Sequence, residues 1–435
     1  MPCICGVASS KPVRIGGYLR EMIASEVSSQ AVSEVAGLVG DASFAGEHSA
    51  VRLPTQRALF GVAMIGRGPM LDSFLMDPSS CRSDLLDVSR GFLLGQLPAS
   101  PSEAPLFGTA ILGWPDRMVV GRDPLGTRPL FVAGKDVVAV CSDPRAIAGL
   151  GLGAPSCLAP SGLVDLPSGG QVGLRFRPKA WDGTRGSSTR DLIAALRKAI
   201  QPIPSPRAVF FSGGIDSLIL AKISEQLGET TCITAGLSGC RDLARAESAA
   251  SNLSSPLETV LIAPEAIRKD VEFLSEADFA ETPMNLAIAL PLLHAATKAR
   301  ELGIDTAICG QGADELFGGY RRYLSDPRPQ ASMLGDLLHL HSRGMDSCTL
   351  AVRSRGVEIF LPYLDEDVVG IGLSLPLDMK IRNGRRKVLL RDAGLELGLA
   401  ERDVSAEKCA IQYGSGVNRH VARVLRVCRR DRSRS

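Results

Sequence analysis

Along the first 175 residues, apolar positions come in short bursts. RALFGVAMIG (57–66), LFGTAILGW (106–114), RMVVGRD (117–123), RPLFVAG (128–134) and DVVAVCSD (136–143) are rich in Val, Ile and Phe and are broken by Gly, Pro and Asp. That pattern predicts strands of packed antiparallel sheets. An earlier stretch, 25–39, carries helical periodicity and predicts a helix. The polar segment RFRPKAWDGTRGSSTR (175–190) reads as an interdomain linker. Beyond it the texture changes. DLIAALRKAI predicts a helix, RAVFF a strand, DSLILAKISEQLG a helix and TTCITAGL a strand. RDLARAESAASNL follows as helix, LETVLI as strand, then two longer helical stretches and DTAICG as strand. Strands alternating with helices imply a parallel sheet with helices on both faces.

Composition narrows the class. A chain of 435 residues is long for one domain, so two are expected. With 45% hydrophobic and 22% charged residues it resembles an ordinary soluble globular protein. A net charge of +2 gives no overall field that argues for nucleic acid. The charge is uneven, because RHVARVLRVCRRDRSRS at the end is crowded with arginine. Such a tail suits either an acidic partner or a solvated, disordered end. The 11 cysteines form no Cys-x-x-Cys pair, the 5 histidines show no zinc spacing, and no apolar run is long enough to span a bilayer. The expectation is a cytoplasmic protein with free thiols and no membrane contact.

Two loops carry the chemistry. SGGIDS lies between the strand RAVFF and the helix DSLILAKISEQLG, and ligands of parallel sheets sit at the carboxyl ends of strands. Gly213 and Gly214 let the backbone turn tightly and approach a ligand. Ser212 and Ser217 offer hydroxyls, and the helix start offers free N–H groups to an anion. Asp216 would repel phosphate unless a cation such as Mg²⁺ lay between them. The plain alternative is that Asp216 and Ser217 only cap the helix. AICGQGADELFGGYRRY (307–323) is a second glycine-lined turn after a strand, with Asp314 and Glu315 at its centre. Here a capping Asp314 is the plain alternative, but it leaves the paired arrangement unexplained. Two such turns, each with a carboxylate, are what an ATP–Mg²⁺ site needs.

SGGIDS resembles the pyrophosphatase loop of ATP-pyrophosphatase (PP-loop) enzymes, and GQGADELFGGYRRY is similar to the signature of the asparagine synthetase family. GVEIFLPYLD (356–365) and EKCAIQYGSGV (407–417) agree in order. In the first part GRDPLGTRPLF, CSDPRAIAGLG and LPSGGQV are similar to the later stretches of the family's glutaminase domain. The resemblance implies an N-terminal-nucleophile-like αββα sandwich over 1–178. An α/β parallel-sheet PP-loop domain over 188–424 and a basic tail, 425–435, would follow. It implies that ATP adenylates the side-chain carboxylate of aspartate, or of a similar acid, and releases pyrophosphate. Ammonia, free or from glutamine, then gives the amide and AMP. Asp216 and Asp314 match the metal-bridging carboxylates; Ser212, Gly213, Gly214 and Ser217 match the phosphate loop; Gly310 is placed for the adenine. Lys408 matches a lysine that stabilises charge in both half-reactions. For Lys387 and Arg391 added positive charge and a solvated helix face are both open. The partners implied are small molecules, with room for a homodimer.

The chain also departs from the family pattern. Gln311 stands where many members carry a glutamate, and an amide cannot take a proton. Glu315 or Glu358 would substitute for it, or the amine step runs differently. Phe360 stands where an arginine is common. ETPMNLAIALPLL (281–293) offers Thr282 and Asn285 to a substrate but no basic side chain. At the amino terminus, MPCICGVASS, Cys5 resembles the glutaminase nucleophile and Cys3 is the other candidate; either needs trimming to become terminal. The glutamine-holding stretches of the family are missing, which implies a degenerate glutaminase half. Another carboxylate as substrate and a non-catalytic, regulatory role are the competing readings.

Overall fold

The computed structural model describes the strand backbones within residues 3–122, residues 123 and 125–160, 163–166 and 171–172, and residues 188–276, 282–406 and 414–432. By internal contact the chain divides into two compact units, Met1–Arg177 and Pro178–Ser435.

In the first unit the strands are β1 (Cys3–Val13), β2 (Glu34–Val39), β3 (Ala42–Glu47), β4 (Ala58–Gly66), β5 (Leu75–Met76), β6 (Phe92–Leu94), β7 (Thr109–Gly113), β8 (Met118–Arg122), β9 (Phe131–Gly134), β10 (Val137–Cys141), β11 (Ser156–Cys157), β12 (Leu163–Leu166) and β13 (Gln171–Val172). They form two sheets, in the orders β11-β9-β10-β1-β4-β2-β3 and β13-β12-β8-β7-β6-β5. The pairings described within both are antiparallel. The five apolar bursts of the sequence fall on β4 and β7–β10. The helix expected over 25–39 is corrected over its last six residues, where Glu34–Val39 is strand β2, paired to both β3 and β4, while 25–33 lie outside the described residues. Val35 and Val39 favour extended backbone, Gly37 weakens a helix, and only Gly40 and Asp41 separate the β2 and β3 ends in the chain. Two flanking strands then override the local periodicity. Cys5 lies on β1, opposite Cys141 of β10 and Ala63 of β4. After β8, Asp123 ties its own loop: its carboxylate accepts hydrogen bonds from the amides of Leu125 and Thr127, both at 2.9 Å. A helix, α1 (Pro144–Ala148), follows β10 and is capped by the Asp143 side chain.

The second unit opens with α2 (Thr189–Ile200), whose start is fixed by a capping box between Ser188 and Asp191. Then come β14 (Arg207–Phe210), α3 (Ile215–Glu225), β15 (Thr230–Gly236), α4 (Arg241–Ala250), β16 (Leu257–Leu261), α5 (Ala266–Glu276), α6 (Pro283–Glu301), β17 (Thr306–Ile308) and α7 (Ala313–Phe317). The chain continues through α8 (Pro329–Leu338), α9 (Asp346–Arg353), β18 (Glu358–Phe360), α10 (Glu366–Ser374), α11 (Leu377–Lys380), the hairpin β19 (Ile381–Arg382) and β20 (Arg385–Arg386), α12 (Val388–Glu396), α13 (Glu401–Ser405) and α14 (Asn418–Arg432). Five strands make one sheet in the order β16-β15-β14-β17-β18, and every pairing in it is parallel. Its central strands, β14 and β17, are buried throughout. That explains why their sequences read as continuous apolar runs rather than alternating ones. Helix α3 packs on β14 and β15, α4 on β15 and β16, and α6 across the sheet.

Strand order reverses between β14 and β17. The first leads outward to β15 and β16, the second the other way to β18. A parallel sheet leaves a crevice at such a switch point, above the carboxyl ends of the two strands. SGGIDS leaves β14 there and GQGADELFGG leaves β17. At the other end of the chain, the stretch for which a disordered end was one expectation is helical as far as Arg432, and α14 packs on α5 and α6. Its Val421, Val424 and Leu425 recur at helical spacing, so burial rather than charge decides the outcome.

Gly213 is where the first loop meets the fold. Its φ is +67°, and an added Cβ would lie 2.6 Å from the backbone oxygen of Arg245 on α4. Backbone cannot swing aside as a side chain can. Gly213→Ala is therefore expected to cost about 1–3 kcal/mol or more, read as a lower denaturant midpoint at unchanged slope.

Candidate functional site

The first loop is arranged as an open cradle. Gly214 is the N-cap of α3 and no side chain caps the helix. The capping alternative for Asp216 and Ser217 is thereby corrected. Ser217 is turned back instead: its hydroxyl accepts from the Ser212 amide at 3.2 Å and donates to the Gly214 carbonyl at 3.1 Å. Ser212 Oγ lies 3.3 Å from Ser217 Oγ. Two hydroxyls and the uncapped amides of α3 thus converge above β14. In the second loop Gly312, at φ +93°, is the N-cap of α7, again without a side-chain cap, so Asp314 is no cap either. Gly310 brings this loop onto the first: a Cβ there would stand 3.3 Å from Asp216 Cβ.

The two loops are joined by a residue that the sequence left open. Lys387 Nζ lies 2.7 Å from both carboxylate oxygens of Asp216 and 2.5 Å from Asp314 Oδ1. The Asp216 side chain is 1% exposed, that of Asp314 25% and that of Lys387 6%. Lys387 is buried, which decides against the solvated helix face. Its backbone stands at φ +58°, one of two positive-φ non-glycine residues among those described, the other being Asn383. Both follow from the β19–β20 hairpin. Asn383–Gly384 makes its turn, as the positive φ values of a type I′ turn require. Lys387 absorbs the abrupt change from hairpin to α12 in a left-handed conformation that costs about 1–3 kcal/mol. Gly319 makes room, since a Cβ there would sit 1.8 Å from Asp314 Oδ1 and 2.4 Å from Lys387 Cε. Arg386 Nη1 donates to the Gly319 carbonyl at 2.5 Å and holds the hairpin to the second loop. Arg391, the other open position, is buried and donates to the carbonyls of Arg386 and Val404. It supports the hairpin and does not line the site.

Two carboxylates that converge on one ammonium can also converge on a divalent cation. Mg²⁺ is held by one or two carboxylates together with water and phosphate oxygens, so Asp216 and Asp314 fit it. Among the described residues no group of three or more metal-ligating side chains exists.

A cavity of about 610 Å³ lies over the switch point. Ser212, Asp216, Ser217, Gly310, Gln311, Asp314 and Glu315 line it, together with Phe210, Phe211, Ile233 and the apolar face of α6 at Met284, Ile288 and Pro291. Of the two carboxylates weighed as substitutes for a missing glutamate, Glu315 is in the cavity. Glu358 lies outside its lining, on β18, 3.6 Å from Arg353 Nε. Burial, reinforced by the neighbouring Asp314, pushes the Glu315 carboxyl up to about 7, and the Tyr320 hydroxyl donates to it at 2.5 Å. Gln311 Oε1 is buried with no hydrogen-bond partner among the described residues. Thr282 and Asn285 make local bonds, although Asn285 Oδ1 is buried with no hydrogen-bond partner among the described residues. Thr282 caps α6 by accepting from the Asn285 amide at 3.1 Å, and Asn285 Nδ2 donates to Ser342 O at 3.3 Å.

Farther along the cavity stand Tyr320, Arg322, Asp336 and Arg343. Arg322 and Tyr323 come from the GGYRRY stretch, Asp336 from α8. Arg343 comes from a π-helical kink, His341–Met345, where Gly344 takes φ +120°. Burial alone would raise the Asp336 carboxyl, yet hydrogen bonds from Tyr323 and Arg322, and the charge of Arg322, hold it below the usual carboxylate range. Sequence reasoning quoted Arg322 without giving it a role, and missed Asp336 and Arg343. A glycine two residues before the next helical run was the available signal for the kink.

Lys408 lies outside the described residues, with 407–413. The ends of that segment are placed. Ala406 O accepts from Arg245 Nη2 at 3.2 Å, and Ser415 O accepts from the Leu237 amide at 3.0 Å. A Cβ on Gly414 would meet the carboxylate of Asp242, which lines the cavity. The side chain of Cys5 is likewise outside the described residues.

Together these features define a class: a parallel α/β protein whose switch-point cavity pairs an open anion cradle with two carboxylates on one cation. The family model described as Asparagine synthase matches residues 204–343 and 325–431, and the chain belongs to the asparagine synthase family. It is 32% identical over 182 residues to a putative glutamine-hydrolysing asparagine synthetase 1 of Methanocaldococcus jannaschii, covering 40% of this chain and 33% of that one. It is 26% identical over 326 residues to a probable glutamine-hydrolysing asparagine synthetase of Schizosaccharomyces pombe, covering 64% and 56%. The chain thus spans between a third and just over half the length of these relatives. A solved NMN synthetase from Francisella tularensis superposes on 56% of this chain and 79% of its own, at 14% identity and a TM-score of 0.30.

Lys387→Met leaves two adjoining carboxylates, one of them buried, without a counter-charge. The expected loss is about 3–5 kcal/mol of stability, measured by urea unfolding, with partial recovery when Asp216→Asn is added. The raised Glu315 carboxyl sets a pH dependence. Its unfolded value is 4.5, so between pH 4.5 and about 7 the folded chain keeps a proton that the unfolded chain releases. The stability this group contributes is full below that window and falls as pH rises through it. Glu315→Gln is expected to flatten this fall in urea midpoints taken from pH 5 to pH 8.

Proposed function

We propose that the second unit is an ATP-dependent ligase that activates a carboxylate as its acyl-adenylate and passes the acyl group to ammonia, with aspartate as acid and asparagine as product. The observation that carries this reading is the meeting of Asp216 and Asp314 on one cation at the rim of the anion cradle. The family and the printed names of its relatives support it.

In the first half-reaction an acid oxygen attacks the α-phosphorus of ATP and the bond to pyrophosphate breaks. Ser212, Ser217 and the uncapped amides of α3 hold phosphate oxygens as charge gathers on the leaving group. Mg²⁺ held by Asp216 and Asp314 would neutralise that charge. Phe210, Phe211 and Ile233 give an apolar wall suited to the adenine, with Gly310 beside it. In the second half-reaction the ammonia lone pair attacks the acyl carbon, and AMP leaves as the tetrahedral carbon collapses. Gln311 Oε1 can accept a hydrogen bond from the entering amine but not its proton. Glu315, in the same cavity, takes that proton. In sequence Lys408 falls between Ala406, whose carbonyl accepts from Arg245, and Gly414, which lies beside Asp242 of the cavity lining, and we assign it the stabilising charge on the departing phosphates.

For the first unit we propose the αββα layering of an N-terminal-nucleophile hydrolase over 1–178, with the ligase over 188–424. The two antiparallel sheets and the position of Cys5 on β1 support it. The missing glutamine-holding stretches favour free ammonia over glutamine as nitrogen source. Among the described residues no helix is long and apolar enough to cross a membrane, and a cytoplasmic location is part of the proposal.

The test is formation of AMP, pyrophosphate and asparagine from ATP, Mg²⁺ and aspartate, with ammonium or glutamine in parallel. Product with ammonium is expected. Asp314→Asn is expected to lower turnover about 10²-fold or more with the circular dichroism spectrum unchanged. Asp216→Asn should do the same but also lose stability, because Asp216 is buried. Unchanged turnover in both variants would refute the assignment.

A further inference from the structure

The peptide between Gly213 and Gly214 has an orientation that the loop itself does not determine. Gly213 stands at φ +67° and Gly214 at φ −75°. Glycine takes either sign of φ at little cost, so the unit between two glycines turns over readily. In a planar trans peptide the carbonyl and the following N–H point opposite ways. One orientation offers an anion the Gly214 N–H. The other offers it the Gly213 oxygen and repels it.

Arg245 on α4 settles the choice. Its Nε donates to the Gly213 carbonyl at 3.1 Å. The Gly214 N–H is thereby turned to the other side, where it faces Ser212 Oγ at 3.4 Å. That is longer than an ordinary N–H···O bond, so the amide keeps its capacity for a better acceptor. Ser212 Oγ lies 3.3 Å from Ser217 Oγ, so the amide and the two hydroxyls form one chain. The guanidinium is fixed in turn, because its Nη2 donates to the Ala406 carbonyl at 3.2 Å. A planar fork bonded through two nitrogens does not swivel as a lysine would. Its charge also polarises the peptide it holds, and hydrogen bonds in a chain strengthen one another. Arg245 is half-buried and does not line the cavity. Its effect on a ligand therefore passes through the peptide.

We propose that Arg245 is a positioning residue for pyrophosphate departure: it orients the Gly213–Gly214 peptide so that the Gly214 amide donates to the phosphates, and it touches no substrate itself. This rests on the reading that the cradle receives the phosphates of ATP. The loop supplies the flexibility, and a residue 32 positions away supplies the direction.

The experiment uses the full chain with Arg245→Met, which keeps the length of the side chain without its donors, and Arg245→Lys, which keeps the charge. Binding of Mg²⁺-pyrophosphate and of adenosine is measured by calorimetry, and pyrophosphate release from ATP is followed with aspartate and ammonium. Arg245→Met is expected to weaken pyrophosphate binding about 10–100-fold, the range of one hydrogen bond to a charged group, while adenosine binding stays within about twofold. Turnover should fall by a similar factor, and Arg245→Lys should recover part of both. Unchanged pyrophosphate binding in Arg245→Met would overturn the proposal. So would equal losses for pyrophosphate and adenosine, which would make Arg245 a prop of the fold alone. If wild type binds pyrophosphate and Arg245→Met does not, yet no pyrophosphate is released from ATP, the ligase reading fails and the role of Arg245 stands. If wild type binds neither pyrophosphate nor ATP, the inference falls.

Discussion

The ammonium of Lys387 and the two carboxylates it touches form the joint on which this site depends. Asp216 arrives on the loop after β14 and Asp314 on the loop after β17. Those strands neighbour each other only because the sheet reverses its order there. Without a cation, two carboxylates drawn this close, one fully buried, would repel and push the loops apart. With Lys387 between them, the crevice of a parallel sheet becomes a furnished pocket. The cost of keeping a lysine in left-handed backbone is met by what it joins. An ammonium in that position also keeps the two acidic groups converged, as the proposed cation site needs.

The sheet was legible in the sequence because apolar runs bounded by glycine and polar turns mark buried parallel strands with little ambiguity. The two glycine loops were legible because their residue types answer to one need, a tight turn close to an anion. What was not legible depends on packing between distant segments. Lys387 looks like any lysine in a basic run until the Asn383–Gly384 hairpin and the start of α12 turn it inward. Glu34–Val39 looks helical until two strands claim its hydrogen bonds. The basic end looked like a solvated tail because charge dominated the eye, while the recurring Val421 and Leu425 decided its docking. The roles of Cys5 and Lys408 rest on resemblance alone, with only a strand position for the first and the anchored ends of its segment for the second.

Gln311 stands where the resemblance places a glutamate, and an amide there carries no charge. The amide keeps the size and the hydrogen-bonding oxygen of the glutamate common in the family. In the proposed reaction the proton-accepting capacity comes from Glu315, four residues on and bonded to Tyr320. A carboxylate desolvated to this degree is a better base than one in water, since burial makes the proton harder to remove.

Arg245 on α4 touches two parts of the site at once. Its Nε donates to the Gly213 carbonyl at 3.1 Å, and its Nη2 to the Ala406 carbonyl just before the segment that carries Lys408. One rigid guanidinium therefore spans the floor of the anion loop and the root of a second strand of chain. The carbonyls of Gly213 and Ala406 are thus held at a spacing set by one planar side chain.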